Sequence, residues 1–430
     1  MTGLIIFGSL LIGMFMGLPV CFALLAACLI YLIPSGIPLT IVPQTMIAGM
    51  NSFVLLAIPL FTMTGYLMEQ TSLSRRLVDF VEALFCRSRG SMGVVTIVTC
   101  AIFAALTGSG PATVAAIGAI MMPALTRANY PKSTSAGMIA AGGALGPIIP
   151  PSANMVVYGA AMGLSVSKMF IGGVLPGIMM AIALCLVNVY LAAKYKFAKS
   201  DVRYPKKEVL RRTARAIPTL VLPVIILGGI YSGIFTPTES GAIASVYGLI
   251  CGRYIYKTLE WKNLPKILVN TAVGAGTIML ILGSVQTFSV VLTRGHIPQI
   301  LSEALLSVTT NKYILLLMFN ILLLIAGMFL NAVSAIALFT PILLPIMTSV
   351  GVNPYLMGIV MIVNLGIGMI TPPVGNCLYV ACGMSKRLSF EQISKACIPY
   401  IVMLMIALLL ITYVEPISMG LIWLTSASAI

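Results

Sequence analysis

Two short stretches place helix breakers and an amide inside otherwise apolar runs: GPIIPPSAN at 146–154 and GMITPPVGN at 368–376. Proline lacks an N–H, and its ring clashes with the carbonyl four residues earlier. Pro150 and Pro151 therefore release the carbonyls of Gly146 and Pro147, while Pro372 and Pro373 release those of Gly368 and Met369. A released carbonyl in an apolar medium is costly unless something binds it. A cage of neutral carbonyl and hydroxyl oxygens suits a hard cation, and Na⁺ is the expected occupant. Asn154 and Asn376 follow the two breaks at the same spacing. An amide both donates and accepts, so each can bind a polar solute or pin a neighbouring helix, and the residues alone leave both roles open.

Further oxygens lie in two polar clusters, TGSGPAT at 107–113 and LNAVSA at 330–335. Thr107, Ser109 and Thr113 can close a cage around the first break. Asn331 and Ser334, with the Thr371 hydroxyl, can close one around the second. Arg294 ends an apolar run and is either a snorkelling interfacial residue or a counter-charge for an anionic solute. Glu239 follows Pro237 and is expected to cap a helix begun by Thr236 or Thr238.

These groups need elements to hold them. The chain has 430 residues, 60% hydrophobic and only 8% charged, against roughly 25% charged in soluble domains. A core this apolar needs lipid as its solvent, so the fold class is an all-α polytopic membrane protein. Apolar spans are expected near 3–33, 52–70, 133–161, 169–193, 216–235, 238–257, 268–292, 355–383 and 396–414. Residues 92–127 and 313–349 are longer apolar runs, each split by one of the polar clusters. Gly108, Gly110 and Pro111 end a helix more readily than they bend one, so each run is expected as a re-entrant hairpin whose tip lies beside a site. The interrupted helices 133–161 and 355–383 follow the hairpins.

The two halves repeat. At a fixed offset of 222 residues, Pro123 aligns with Pro345, Gly146 with Gly368, Pro150 and Pro151 with Pro372 and Pro373, and Asn154 with Asn376. Paired hairpins and discontinuous helices in an internal duplication are the signature of secondary transporters with a midplane site. The expected organisation has scaffold helices over 1–91, a first transport repeat over 92–193 and a basic loop with scaffold helices over 194–312. A second transport repeat then covers 313–383, with C-terminal helices over 384–430.

Several function classes fall away. Twenty-five Lys and Arg stand against ten Asp and Glu, but the cations fill short gaps between apolar runs, as the positive-inside rule requires, so nucleic-acid binding is not expected. The basic stretch from Lys194 to Arg215 is expected to be a cytoplasmic loop. The nine cysteines are scattered without metal-ligand spacing and there is one histidine, His296; no phosphate-binding loop, metalloprotease motif or nucleophile elbow occurs, so the chain is not expected to be an enzyme. The first residues lack a basic leader and cleavage site and are expected to remain as a membrane segment.

The motifs GSGPATVAAIG, GPIIPPSANMVVYG, FTPTESGA and GMITPPVGN, in this order, resemble the large membrane subunit of tripartite ATP-independent periplasmic (TRAP) transporters. The resemblance covers essentially the whole chain. It implies an inverted-repeat elevator fold in the bacterial inner membrane and Na⁺-driven import of an organic acid, such as a sialic acid, C4-dicarboxylate or sugar acid. It also implies two or more Na⁺ ions, a periplasmic substrate-binding protein and a small four-helix membrane subunit, here a separate polypeptide. Carried onto this sequence, the first Na⁺ site falls on Thr107, Ser109, Gly146, Ile149 and Pro151, and the second on Gly327, Gly368, Met369 and Thr371. Substrate is expected near Ser109, Thr113, Asn154, Arg294, Asn331, Ser334 and Asn376. Many relatives carry Asp where Asn331 stands. The alternatives are a passive channel, or a Na⁺/carboxylate symporter that needs no binding protein.

Overall fold

The computed structural model describes residues 2–71, 73–85, 90–195, 204–384 and 388–427, and every regular element among them is helical. Seven helical stretches among these residues are long and apolar enough to cross a membrane. The middle of the expected basic loop, 196–203, lies outside the described residues.

The expected span 3–33 is two helices, α1 (Thr2–Phe15) and α2 (Val20–Leu32), which pack side by side. Gly17 at φ +85° and Pro19 turn the chain between them, a break that apolar content alone does not register. A short α3 (Ile41–Met50) precedes α4 (Ala57–Gln70) and the amphipathic α5 (Leu73–Phe85). On α5, Leu73, Leu77 and Val81 recur at helical spacing and are buried, while Arg75 on the opposite side is exposed.

The first hairpin is α6 (Ser91–Thr107) and α7 (Gly110–Arg127), turned by Gly108 at φ 61°. The first broken helix is α8 (Lys132–Gly143) and α9 (Ala153–Met162), followed by the long α10 (Val166–Lys194). Next come α11 (Lys206–Tyr231), α12 (Pro237–Ile250), α13 (Leu264–Arg294) and α14 (Ile297–Val308). Thr236 and Glu239 start α12 with the expected reciprocal cap: the Glu239 N–H donates to the Thr236 hydroxyl at 3.3 Å, and the Thr236 N–H to the Glu239 carboxylate at 2.8 Å. The second hairpin is α15 (Lys312–Phe329) and α16 (Ala332–Ser349). The second broken helix is α17 (Pro354–Gly368) and α18 (Asn376–Gly383), and α19 (Phe390–Tyr413) and α20 (Glu415–Ala427) complete the chain.

The offset of 222 residues seen in the sequence carries α7 onto α16 residue for residue, and α6, α8, α9 and α10 onto α15, α17, α18 and α19 to within a few residues. The repeats interlock. α8 packs on α18, α9 on α16, and α7 on α18, and the buried Tyr158 hydroxyl of the first repeat donates to the Pro354 carbonyl of the second at 2.8 Å. Within the second repeat, the buried Asn364 side-chain amide donates to the Asn320 Oδ1 at 2.7 Å, and the Asn320 Nδ2 donates to the Thr412 hydroxyl at 3.1 Å. That chain ties α15, α17 and α19 together in a region with no water to compete. On the other side of the site, α13 packs on α2, α3 and α4.

Candidate functional site

Both breaks fold as open turns rather than helix. In the first, residues 144–152, the Pro150–Pro151 bond is cis, and the Pro372–Pro373 bond of the second is cis as well. Each break lies directly against the hairpin of its own repeat. A Cβ on Gly146 would collide with the backbone of Ser109 and Gly110, and one on Gly108 would stand 2.9 Å from the Pro151 carbonyl oxygen. In the second repeat a Cβ on Gly368 would lie 2.5 Å from the Gly327 Cα, and the Gly375 N–H donates to the Met328 carbonyl at 3.1 Å. Glycine at these positions is what lets two backbones meet.

Not every released carbonyl stays free. The Pro147 oxygen accepts from the Ser152 hydroxyl at 2.6 Å, the Gly368 oxygen from the Thr371 N–H at 3.0 Å, and the Met369 oxygen from the Cys377 N–H at 2.9 Å. Each keeps a second lone pair. Among the described residues, no backbone N–H donates to the oxygens of Gly146, Ile149 or Pro151. The oxygens of Thr371 and Pro373 in the second break likewise accept no backbone N–H among the described residues, so both breaks supply unpaired oxygens. The C-terminal ends of α6 and α8 approach each other at the first break, as those of α15 and α17 do in the second repeat. Such ends carry partial negative charge.

In front of the breaks lies a cavity of about 390 Å³. Its wall includes Thr107, Ser109, Asn154, Asn331, Met369 and Asn376, so six of the expected residues from both repeats meet in one space. Four helices begin on that wall: α7 with Ser109 and Gly110, α9 with Ala153 and Asn154, α16 with Asn331 and Ala332, and α18 with Asn376. A helix N-terminus presents unpaired N–H groups and about half a positive charge, which makes it an anion site without any cationic side chain. Asn331 caps α16, its Oδ1 accepting from the Val333 N–H at 3.1 Å. Among the described residues no protein hydrogen bond engages the Asn154 or Asn376 amide, which leaves both available to a ligand.

Other expected residues lie elsewhere. Thr113 is fully buried inside the first hairpin, where its hydroxyl donates to the Ser109 carbonyl at 2.8 Å and stands 3.3 Å from the Thr107 hydroxyl. It braces the tip rather than facing the cavity. Ser334 is buried within the first turn of α16, off the cavity wall. Thr371 spends its hydroxyl proton on the Ile367 carbonyl at 2.8 Å. Arg294 is not on the wall: it is exposed at the end of α13. The nearest wall residue of that helix is Ile281, and the intervening turns span about 20 Å. Arg294 precedes the second hairpin in the sequence, but α13 carries it away from the cavity.

Sequence reasoning missed part of the wall. Thr62, Tyr66 and Glu69 of α4 and Thr277 of α13 also line the cavity, and Glu69 is the one charged residue of the wall. No pattern in α4 distinguishes it from an ordinary apolar helix, so only packing reveals the role. The helix starts were more legible, because Ser109, Asn154, Asn331 and Asn376 each sit just past a break or tip.

A family model described as "Tripartite ATP-independent periplasmic transporter, DctM component" matches residues 7–417. This chain belongs to the DctM family. The large permease DctM of a C4-dicarboxylate TRAP transporter from Pseudomonas aeruginosa is 38% identical over 369 residues, covering 86% of each chain. The DctMQ permease of an isethionate TRAP transporter from Oleidesulfovibrio alaskensis is 40% identical over 417 residues, 96% of this chain but 65% of that longer protein. The large permease SiaM of a sialic acid TRAP transporter from Vibrio cholerae is 33% identical, with 93% of each chain covered. Among solved structures, the YdaH transporter of Alcanivorax borkumensis superposes with a TM-score of 0.65 over 87% of this chain and 88% of its own, at 14% identity, a likeness of fold alone. The DctM chain is thus a TRAP transporter large permease subunit and a multi-pass membrane protein; its relatives are permease subunits rather than enzymes.

Proposed function

We propose that this DctM chain is the translocating subunit of a Na⁺-coupled importer of an organic acid, with the anion held in the cavity between the two repeats. The observation that carries this reading is the convergence of four helix N-termini on one cavity, beside the free amides of Asn154 and Asn376. The anionic group is met by backbone N–H groups and amides, not by an arginine. Na⁺ ions sit behind the tips, where C-terminal helix ends and unpaired carbonyls supply oxygens: one at Thr107, Gly146 and Ile149, the other at Gly327, Gly368 and Met369. A cation there screens the negative helix ends and braces each tip, so ion and anion favour one another's binding.

The two interlocked repeats move as one body against a scaffold containing α1 to α4, α12 and α13, by an elevator motion. A small membrane subunit enlarges that scaffold, and a periplasmic binding protein delivers the solute. The substrate belongs with those of the relatives: isethionate, a C4-dicarboxylate, a sugar acid or a sialic acid. The test is uptake of these acids into proteoliposomes by wild type, Asn154→Ala and Asn376→Ala. Each variant should lose most of the uptake while reaching the membrane. Full uptake by both would contradict the placement of the anion.

A further inference from the structure

Residues 1–74 carry a single charged side chain, Glu69 near the end of α4, and the first cation of the chain is Arg75 on α5. At α13 the asymmetry is similar. Arg253, Lys257, Lys262 and Lys266 crowd its start, against Arg294 alone at its end. The two basic ends lie together. Arg76 stacks over the Tyr256 ring, 4.1 Å from its centroid, and Leu67 packs with Leu259 and Ile267. The positive-inside rule puts that end of both helices on the cytoplasmic side.

α4 and α13 line the substrate cavity only in their cytoplasmic parts. The lining runs from Thr62 to Glu69 on α4 and from Gly274 to Ile281 on α13. Toward the outside the space is filled. The Thr45 and Thr287 hydroxyls stand 2.9 Å apart between α3 and α13, and residues 53–56 pack on α9. The cavity therefore lies on the cytoplasmic side of the scaffold. Glu69 is seven residues past Thr62 in that direction, about 10 Å along the helix, so it marks the inner end of the α4 wall. Its side chain is exposed, and among the described residues no ion pair or side-chain hydrogen bond engages it.

We propose that Glu69 is a release residue, which weakens anion binding when the cavity faces the cytoplasm. This rests on the anion and the moving repeats proposed above. Glu69 stays with the scaffold while the anion travels with the repeats. In the outward position the anion lies against residues 53–61 of α4 and 282–293 of α13, which include no charged residue. In the inward position it is brought beside a like charge. A ligand partitions between two states by its difference in affinity for them, so a charge met in one state lowers affinity in that state. Na⁺ drives the accumulation; Glu69 makes the anion leave more readily on the inside.

The experiment labels Thr277→Cys in the full chain with a membrane-impermeant maleimide, in right-side-out and in inverted vesicles, with wild type as the blank. Isethionate, succinate and sialic acid are the protectants, in the presence of Na⁺. Labelling should be faster in inverted vesicles; faster labelling from the outside overturns the inward placement. In inverted vesicles, adding Glu69→Gln should lower the half-protecting isethionate concentration about fivefold, as for like charges about 15 Å apart at an effective dielectric near 20. The shift should be larger for succinate. Glu69→Asp keeps the charge and should stay near the Glu69 value. No shift with Glu69→Gln, or the same shift with Glu69→Asp, overturns the proposal. If none of the three acids protects the cysteine while Glu69 is intact, the anion reading itself falls, a result distinct from protection that Glu69→Gln leaves unshifted.

Discussion

Gly368 lies flat against Gly327, with a Cβ on Gly368 standing 2.5 Å from both the Cα and the carbonyl carbon of Gly327. The second break and the second hairpin therefore meet backbone to backbone. Gly368→Ala must push them apart, at about 1–3 kcal/mol of overpacking. The variant should melt lower and need more Na⁺ for half-maximal uptake. Gly383→Ala, which meets nothing within 4 Å, is the control and should match wild type in both.

Arg294 provides a sharp negative. Exposed at the far end of α13, it should tolerate replacement by alanine, with uptake rates within about twofold of wild type, as for a surface change worth about 0.5 kcal/mol or less. A complete loss of uptake in well-folded Arg294→Ala would bring the arginine back to the substrate.

Asn331 does two things that substitution can separate. Alanine removes the α16 cap and should lower stability by about 0.5–2 kcal/mol. Aspartate keeps the cap but adds a negative charge to the wall proposed to hold the anion. Asn331→Asp should therefore melt like wild type while binding its substrate more weakly, read as a higher half-saturation concentration.

Glu69 is the one charged residue lining the cavity and would repel the anion proposed to bind there. At separations of about 10–15 Å and an effective dielectric near 20, each substrate charge feels roughly 1–2 kcal/mol. Glu69→Gln should raise the apparent affinity for a dicarboxylate more than for isethionate. Equal changes for the two acids would mean that Glu69 is too well hydrated to select between them.

Much of this was readable in the sequence because Pro and Gly act locally. The Pro-Pro pairs located both breaks, Gly108 and Pro111 the first tip, and the fixed offset the repeat. Thr236 and Glu239 announced the start of α12 for the same reason. What escaped depended on partners distant in the chain. Apolar content from 3 to 33 concealed the turn at Gly17 and Pro19, and short α3 lacks the length that marks a span. Thr113 and Ser334 look like site hydroxyls until packing turns them inward. Arg294 is near the second hairpin in sequence, yet α13 carries it away, while Glu69 enters the cavity from a helix with no distinguishing pattern.

The central claim is that Na⁺ behind the tips drives an organic anion through the cavity between the repeats. Its most direct test is uptake of isethionate, a C4-dicarboxylate and sialic acid into proteoliposomes containing this chain, its small subunit and its binding protein, with an inward gradient of Na⁺ or of K⁺. The account predicts saturable accumulation of one of these acids under the Na⁺ gradient and none under K⁺. Equal uptake under both gradients, or uptake that rises linearly with concentration, would contradict it.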